Sequence, residues 1–109
     1  MSRYVLVVFT NPVEGREDEY NDWYQNVHLG DVVAVKGFKS AQRFRLVKPL
    51  NDQKAYPYLA IYEIETDDIE AALDDMQSRA NTPRMMLSPA LSEDLYAVTY
   101  EPFGPKVEA

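Results

Sequence analysis

The sequence predicts an α+β domain of the ferredoxin-like class: a four-stranded antiparallel sheet with two helices on one face. Three observations predict it. Four short segments are rich in β-branched and aromatic residues, and two amphipathic segments lie between them. Their order is β-α-β-β-α-β, and two crossovers of this kind bring both helices to the same side of the sheet. All four strand segments carry apolar residues on both faces, as expected where one face meets helices and the other meets a second sheet.

Tyr4 to Thr10 has almost no polar residue and reads as a central strand, ended by Asn11-Pro12 because proline removes a donor. Glu17 to His28 reads as a helix whose first turn carries Glu17, Asp18 and Glu19 at the positive end of its dipole. Gly30 is expected to break or kink it, with Asp31 capping a short second turn through Val35. Phe38 to Lys48 is the second strand, Pro49 to Tyr56 a polar hairpin loop, and Pro57 to Glu65 the third strand. Asp67 to about Ala80 is the second helix. Asp67 and Glu70 form a capping-box pattern, and Ile69, Leu73 and Met76 make the apolar face. Asp94 to Glu101 is the fourth strand, and the tail beyond Pro102 offers Phe103 as an anchor.

A chain of 109 residues is expected to be one domain, residues 1–109, with a small core that association would help to complete. On the first strand Tyr4, Leu6 and Val8 oppose Val5, Val7 and Phe9, and two helices cover only one of these sets. Leaving the other wet would expose a large apolar patch, so a two-fold homodimer is expected. The net charge of −7, with no basic cluster, argues against nucleic acid and anionic membranes. The absence of Cys removes disulfide, thiolate and zinc–thiolate chemistry. A cytoplasmic location is expected, since the short apolar run after Met1-Ser2-Arg3-Tyr4 does not resemble a signal peptide and no segment approaches the length of a membrane span. Neither a phosphate loop, a dinucleotide fingerprint nor a nucleophile elbow is present.

The run Tyr20-Asn21-Asp22-Trp23-Tyr24-Gln25-Asn26-Val27-His28 contains the only His and the only Trp. At helical spacing Tyr20, Trp23, Tyr24, Val27 and His28 share one stripe. Aromatic rings and an imidazole on one stripe can wall an apolar pocket containing one proton-transfer group, although the same stripe also serves plain helix–sheet packing. His28 is the acid–base candidate, because an imidazole with a pKa of roughly 6.5 exchanges protons near neutrality. Asp31, three residues on, is placed to orient it, and Tyr24 or Tyr62 to donate to an oxyanion. Tyr20, Trp23, Tyr62, Phe9 and Arg43 are the candidate substrate contacts. Arg43 and Arg45 share a strand face, suited to an anionic ligand or, the reading favoured for strand arginines, to pairing with Glu63 or Glu65. One His without clustered carboxylates makes a transition-metal site improbable. Met85-Met86-Leu87 is expected to cap the core beside the second helix.

The stretch Asn11 to Leu29, with Asp31 to Phe38 and Ala41 to Phe44, resembles the dimeric α/β-barrel superfamily, in particular its EthD-like branch. Trp23-Tyr24, three residues, then His28-Leu29 is the most specific part of the match, while the fourth strand and tail agree by topology alone. Gly30 stands where close relatives carry Pro. The resemblance implies ferredoxin-like subunits joined sheet to sheet, and a pocket between helices and sheet with His28 in it. It implies relatives that are cofactor-free monooxygenases, muconolactone isomerases and polyketide cyclases. The leading expectation is a cofactor-independent isomerase, cyclase or monooxygenase acting on an aromatic or cyclic keto or phenolic metabolite. The alternatives are a non-catalytic dimeric ligand-binding or accessory protein and a purely structural interaction protein.

Overall fold

A computed structural model describes all residues 1–109. The chain runs β1 (Ser2–Thr10), α1 (Glu17–Trp23), a π-helical turn (Tyr24–His28), α2 (Leu29–Val33), β2 (Phe38–Arg45), β3 (Tyr58–Thr66), α3 (Ile69–Arg79) and β4 (Tyr96–Tyr100). The sheet has the order β2-β3-β1-β4, with every neighbouring pair antiparallel. This is the ferredoxin-like arrangement, with the two most apolar strands at its centre.

Register settles which face the helices cover. Leu6 lies opposite Tyr62, Val8 opposite Ala60 and Thr10 opposite Tyr58, so these side chains share a face. Leu6, Thr10, Ala60, Tyr62 and Ile64 on that face are buried together with Tyr20, Tyr24, Leu29 and Val32 from the first helical run and Ala72 from α3. Ile69, Leu73 and Met76 pack against this core as expected. The opposite face carries Val5, Val7, Phe9, Leu59, Ile61 and Val98, none of them buried, beside Phe44, Tyr96 and Tyr100, which are exposed. Within the chain only Tyr56 is seen to pack on this face, against Phe9 and Tyr96 at one end, at 5.8 and 5.4 Å between centroids.

The helical run departs from the sequence reading in two places. Gly30 does not break it: the helix continues through Gly30 to Val33, with Asp31 inside α2 rather than capping a new turn. Gly30 is exposed, where a glycine merely weakens a helix. The irregularity lies upstream. The Leu29 amide bonds back five residues to the Tyr24 carbonyl, inserting one extra residue into the turn. That shift turns Val27 out to 47% exposure and brings Leu29 and Val32 in. Apolar spacing that jumps from Tyr24 to Leu29 was the sequence signal of this insertion.

Smaller differences concern ends. Asp68, not Asp67, caps α3, its Oδ1 accepting from the Ala71 amide at 3.0 Å. β2 stops at Arg45, and β4 starts at Tyr96 because residues 80–95 form an irregular strap. The strap is tied down by Val13 N–H to Ala90 O at 2.7 Å and Ser92 N–H to Asn11 O at 2.9 Å. Met85 of the strap is buried, whereas Met86 is exposed. Phe103 is fully exposed and anchors nothing within its own chain.

Candidate functional site

The π turn sets the geometry of the site. It presents His28 edge-on to Tyr24, with centroids 4.9 Å apart and planes at 90°, and lets Trp23 stack on the imidazole at 4.6 Å and 25°. The Trp23 indole N–H donates to the Met86 carbonyl at 3.1 Å, so the strap holds the indole over His28. The imidazole Nδ1 is buried and has no hydrogen-bond partner. Burial pushes the His28 pKa down to about 4, so the ring is neutral at pH 7. A buried imidazole nitrogen left unpaired is costly, and such groups are uncommon outside functional sites.

Below the imidazole lies a layer of phenols. Tyr62 OH donates to Tyr24 OH at 3.4 Å, which leaves the Tyr24 proton free for another acceptor. Desolvation raises the Tyr24 pKa to about 12 and pushes Tyr62 up as well, so both remain protonated donors. Tyr20 is fully buried, hydrogen-bonded to Thr10 Oγ1, and its hydroxyl is likewise pushed up by burial.

Arg43 enters the same layer from β2. Its guanidinium sits over the rings of Tyr24, Tyr20 and Tyr58, at 4.7, 5.3 and 5.3 Å from their centroids. Both its hydrogen bonds run to Asn21, one to Oδ1 at 2.7 Å and one to the carbonyl at 3.4 Å. Pairing with Glu63 or Glu65 does not occur. Register places those carboxylates on the other sheet face, where Glu63 accepts from Ser40 Oγ.

The structure thus brings together His28, Tyr24, Tyr20, Trp23, Tyr62 and Arg43. It does not bring in the other two candidates. Asp31 forms no hydrogen bond or ion pair with His28, because the inserted residue changes the angular step that three-residue spacing assumes. Phe9 points to the opposite sheet face, stacked on Tyr96 at 4.6 Å. Sequence reasoning also missed Asn21, which holds Arg43, and Met86, whose carbonyl holds Trp23. Neither could be found from spacing, since one contact crosses to β2 and the other crosses to the strap. None of the four principal hollows is lined by His28, so the pocket expected around the imidazole is not among them, and the Trp23 indole lies over the ring instead. No group of three or more His, Cys, Asp or Glu side chains is arranged to hold a metal ion, and no helix is long and apolar enough to cross a membrane.

Element order and sheet topology together define a ferredoxin-like domain. The chain belongs to the family described as Domain of unknown function (DUF4286), which matches residues 3–82. Among solved structures it is similar to a dabb family protein with a ferredoxin-like fold from Mesorhizobium loti (14% identity, TM-score 0.61, covering 95% of this chain and 100% of that one). It is similar to an ethyl tert-butyl ether degradation (EthD) family protein from Bacillus halodurans (13% identity, TM-score 0.55, 94% and 100%). It also resembles a mutant of MhuD that has two manganese protoporphyrin IX molecules bound per active site (15% identity, TM-score 0.61, 96% and 99%). These likenesses establish the fold. A curated relative, core atranone cluster (CAC) protein 1 of Stachybotrys chlorohalonatus, is 36% identical over 63 residues, 56% of this chain. The chain spans about a quarter of that relative's length, the match covering 26% of it.

Proposed function

We propose that this protein is a homodimeric, cofactor-independent acid–base enzyme. It isomerises or cyclises an aromatic or cyclic keto or phenolic metabolite. The observation that carries this reading is the unpaired, neutral imidazole of His28 beside a Tyr24 hydroxyl whose proton is free. The two groups are complementary. A carbonyl oxygen accepts from Tyr24 O–H, and the imidazole takes the proton from the adjacent carbon. The C–H bonding pair moves into the C–C bond and the carbonyl pair onto oxygen, as an enolate held by Tyr24. Return of the proton at a different atom, or attack of the enolate on a second carbonyl, completes isomerisation or ring closure without any redox partner. Arg43 over the Tyr24 ring favours the build-up of negative charge there. A ligand reaches the imidazole by displacing Trp23 from its stack, so the indole and Tyr20 become walls of the occupied site. The uncovered apolar sheet face is what supports the homodimer.

The test is deuterium exchange. A panel of cyclic ketones and phenolic ketones is incubated with protein in heavy water, and loss of the α-proton signal is followed by NMR. The expected result is catalysed exchange for at least one structural class, reduced by about 100-fold or more in His28→Gln, the scale at which a positioned base contributes. Exchange undiminished in a folded His28→Gln variant overturns the role.

A second reading, a non-catalytic ligand carrier or accessory protein with the same fold, is favoured by the closed cover that Trp23 forms. It predicts ligand binding, seen as a thermal shift, with no exchange.

A further inference from the structure

The principal hollows differ in charge. Lys36 and Lys39 share one with Glu65 and Asp75, and Lys54 shares another with Asp94. Two hollows have cations and no carboxylate: a mostly apolar one with Arg45 and Lys54, and one of about 220 Å³ at the open edge of β2, lined by Asn21, Arg43, Phe44, Arg45 and Tyr58, which alone brings two guanidinium groups together. In a chain of net charge −7, two guanidinium groups without a counter-charge stand out. The ion pairs of the molecule are Arg16–Glu19, Arg79–Asp75 and the N-terminus with Asp67, so neither Arg43 nor Arg45 takes part in one. Glu17 approaches from α1, where its Oε2 accepts from the Tyr58 hydroxyl, and it forms no ion pair with either arginine. Arg43 is half-buried and oriented from behind by Asn21 and three tyrosine rings, which is how a guanidinium is held ready for an anion. Arg45, exposed on the rim, adds a second charge.

We infer that this hollow binds the carboxylate of a small aromatic acid. The Arg43 fork takes the two carboxylate oxygens, Arg45 closes on them from the rim, and the ring of the acid lies against Tyr58, which register places on the same sheet face as both arginines. A planar carboxylate fits better than a phosphate, because its two oxygens match the guanidinium fork and its ring meets the Tyr58 ring. The volume lies below the roughly 300 Å³ at which drug-sized pockets begin, so a single ring is the right size. The site does not depend on the proton-transfer reading, because Tyr24 separates Arg43 from His28.

The experiment is an amide and side-chain NMR titration of the full chain with benzoate, benzamide and inorganic phosphate. Benzoate is expected to shift the Asn21 side-chain amide and the Phe44, Arg45 and Tyr58 amides, with an affinity near about 1 mM that weakens with salt. Benzamide is expected to leave these signals in place, and phosphate to bind about 10-fold more weakly for want of ring contacts. Arg45→Ala, at an exposed position that leaves folding intact, is expected to weaken benzoate by about 5-fold, the order of one rim charge. Arg43→Lys, which keeps the charge and loses the fork, is expected to weaken it by about 10-fold. His28→Gln leaves the titration unchanged, separating this site from the proposed activity. Signals unmoved by benzoate at about 10 mM, well above millimolar affinity, overturn the inference. Equal response to phosphate, or full binding by Arg45→Ala, also overturns it.

Discussion

At the residue scale His28 is the group whose protonation matters most. Its folded pKa, near 4, lies below the roughly 6.5 of an unfolded histidine, so the unfolded chain binds the extra proton first. Above pH 6.5 this group has no effect on the pH dependence of stability. Between 6.5 and about 4 stability falls as pH falls, by about 3 kcal/mol at most over the whole window. Denaturant melts at pH 7 and pH 4.5 measure the loss, and His28→Gln is expected to reduce it. His28 and the phenols were legible as a stripe in the sequence, because residue types and near-helical spacing were enough to group them. The role given to Asp31 was not confirmed, since side-chain pairing across a turn depends on angular phase. Phe9 was misplaced because alternation along a strand says which residues share a face but not which face the helices choose. Arg43 was seen as a charged strand residue; its ring partners come from α1, the π turn and β3, and nothing in β2 announces them.

At the element scale the helical run from Glu17 to Val33 is the informative part. Regular spacing located it and grouped Tyr20, Trp23, Tyr24 and His28, but it placed Val27 with them, which the π turn exposes, and an interior glycine was taken as its end when exposure makes glycine there merely suboptimal. Gly30 has a non-left-handed backbone, and an added Cβ would meet nothing within 4 Å. Gly30→Ala is therefore expected to stabilise the protein by about 0.5–1 kcal/mol, read from urea melts. Gly37 is the contrast. Its φ is +97° and a Cβ would come within 3.3 Å of the Glu65 carbonyl, so Gly37→Ala is expected to destabilise by about 1 kcal/mol or more. Asp68→Ala removes the α3 cap and is expected to cost about 1 kcal/mol, whereas Asp67→Ala should not. The strap from residue 80 to 95 had no legible pattern because its order comes from single long-range backbone bonds rather than a periodic face.

At the scale of the whole molecule, strand order and helix placement followed from the β-α-β-β-α-β pattern, since few topologies satisfy it. The two-sided apolarity of the strands reappears as an uncovered face around Val7, whose neighbours across the strands are Ile61 and Val98. Sedimentation is expected to show a dimer. Val7→Lys, which would bury a charge at its centre, is expected to weaken association by about 100-fold or more. The central claim concerns what the core of each subunit does, and the chain contains one histidine, so a single NMR signal reports on it. Labelled histidine is titrated from pH 8 to pH 3, with and without a keto or phenolic compound selected by the exchange screen. The account predicts a ring that stays neutral until about pH 4 and whose nitrogen signal moves when the compound binds. A ring that titrates near 6.5 and does not respond to any compound that binds would contradict it.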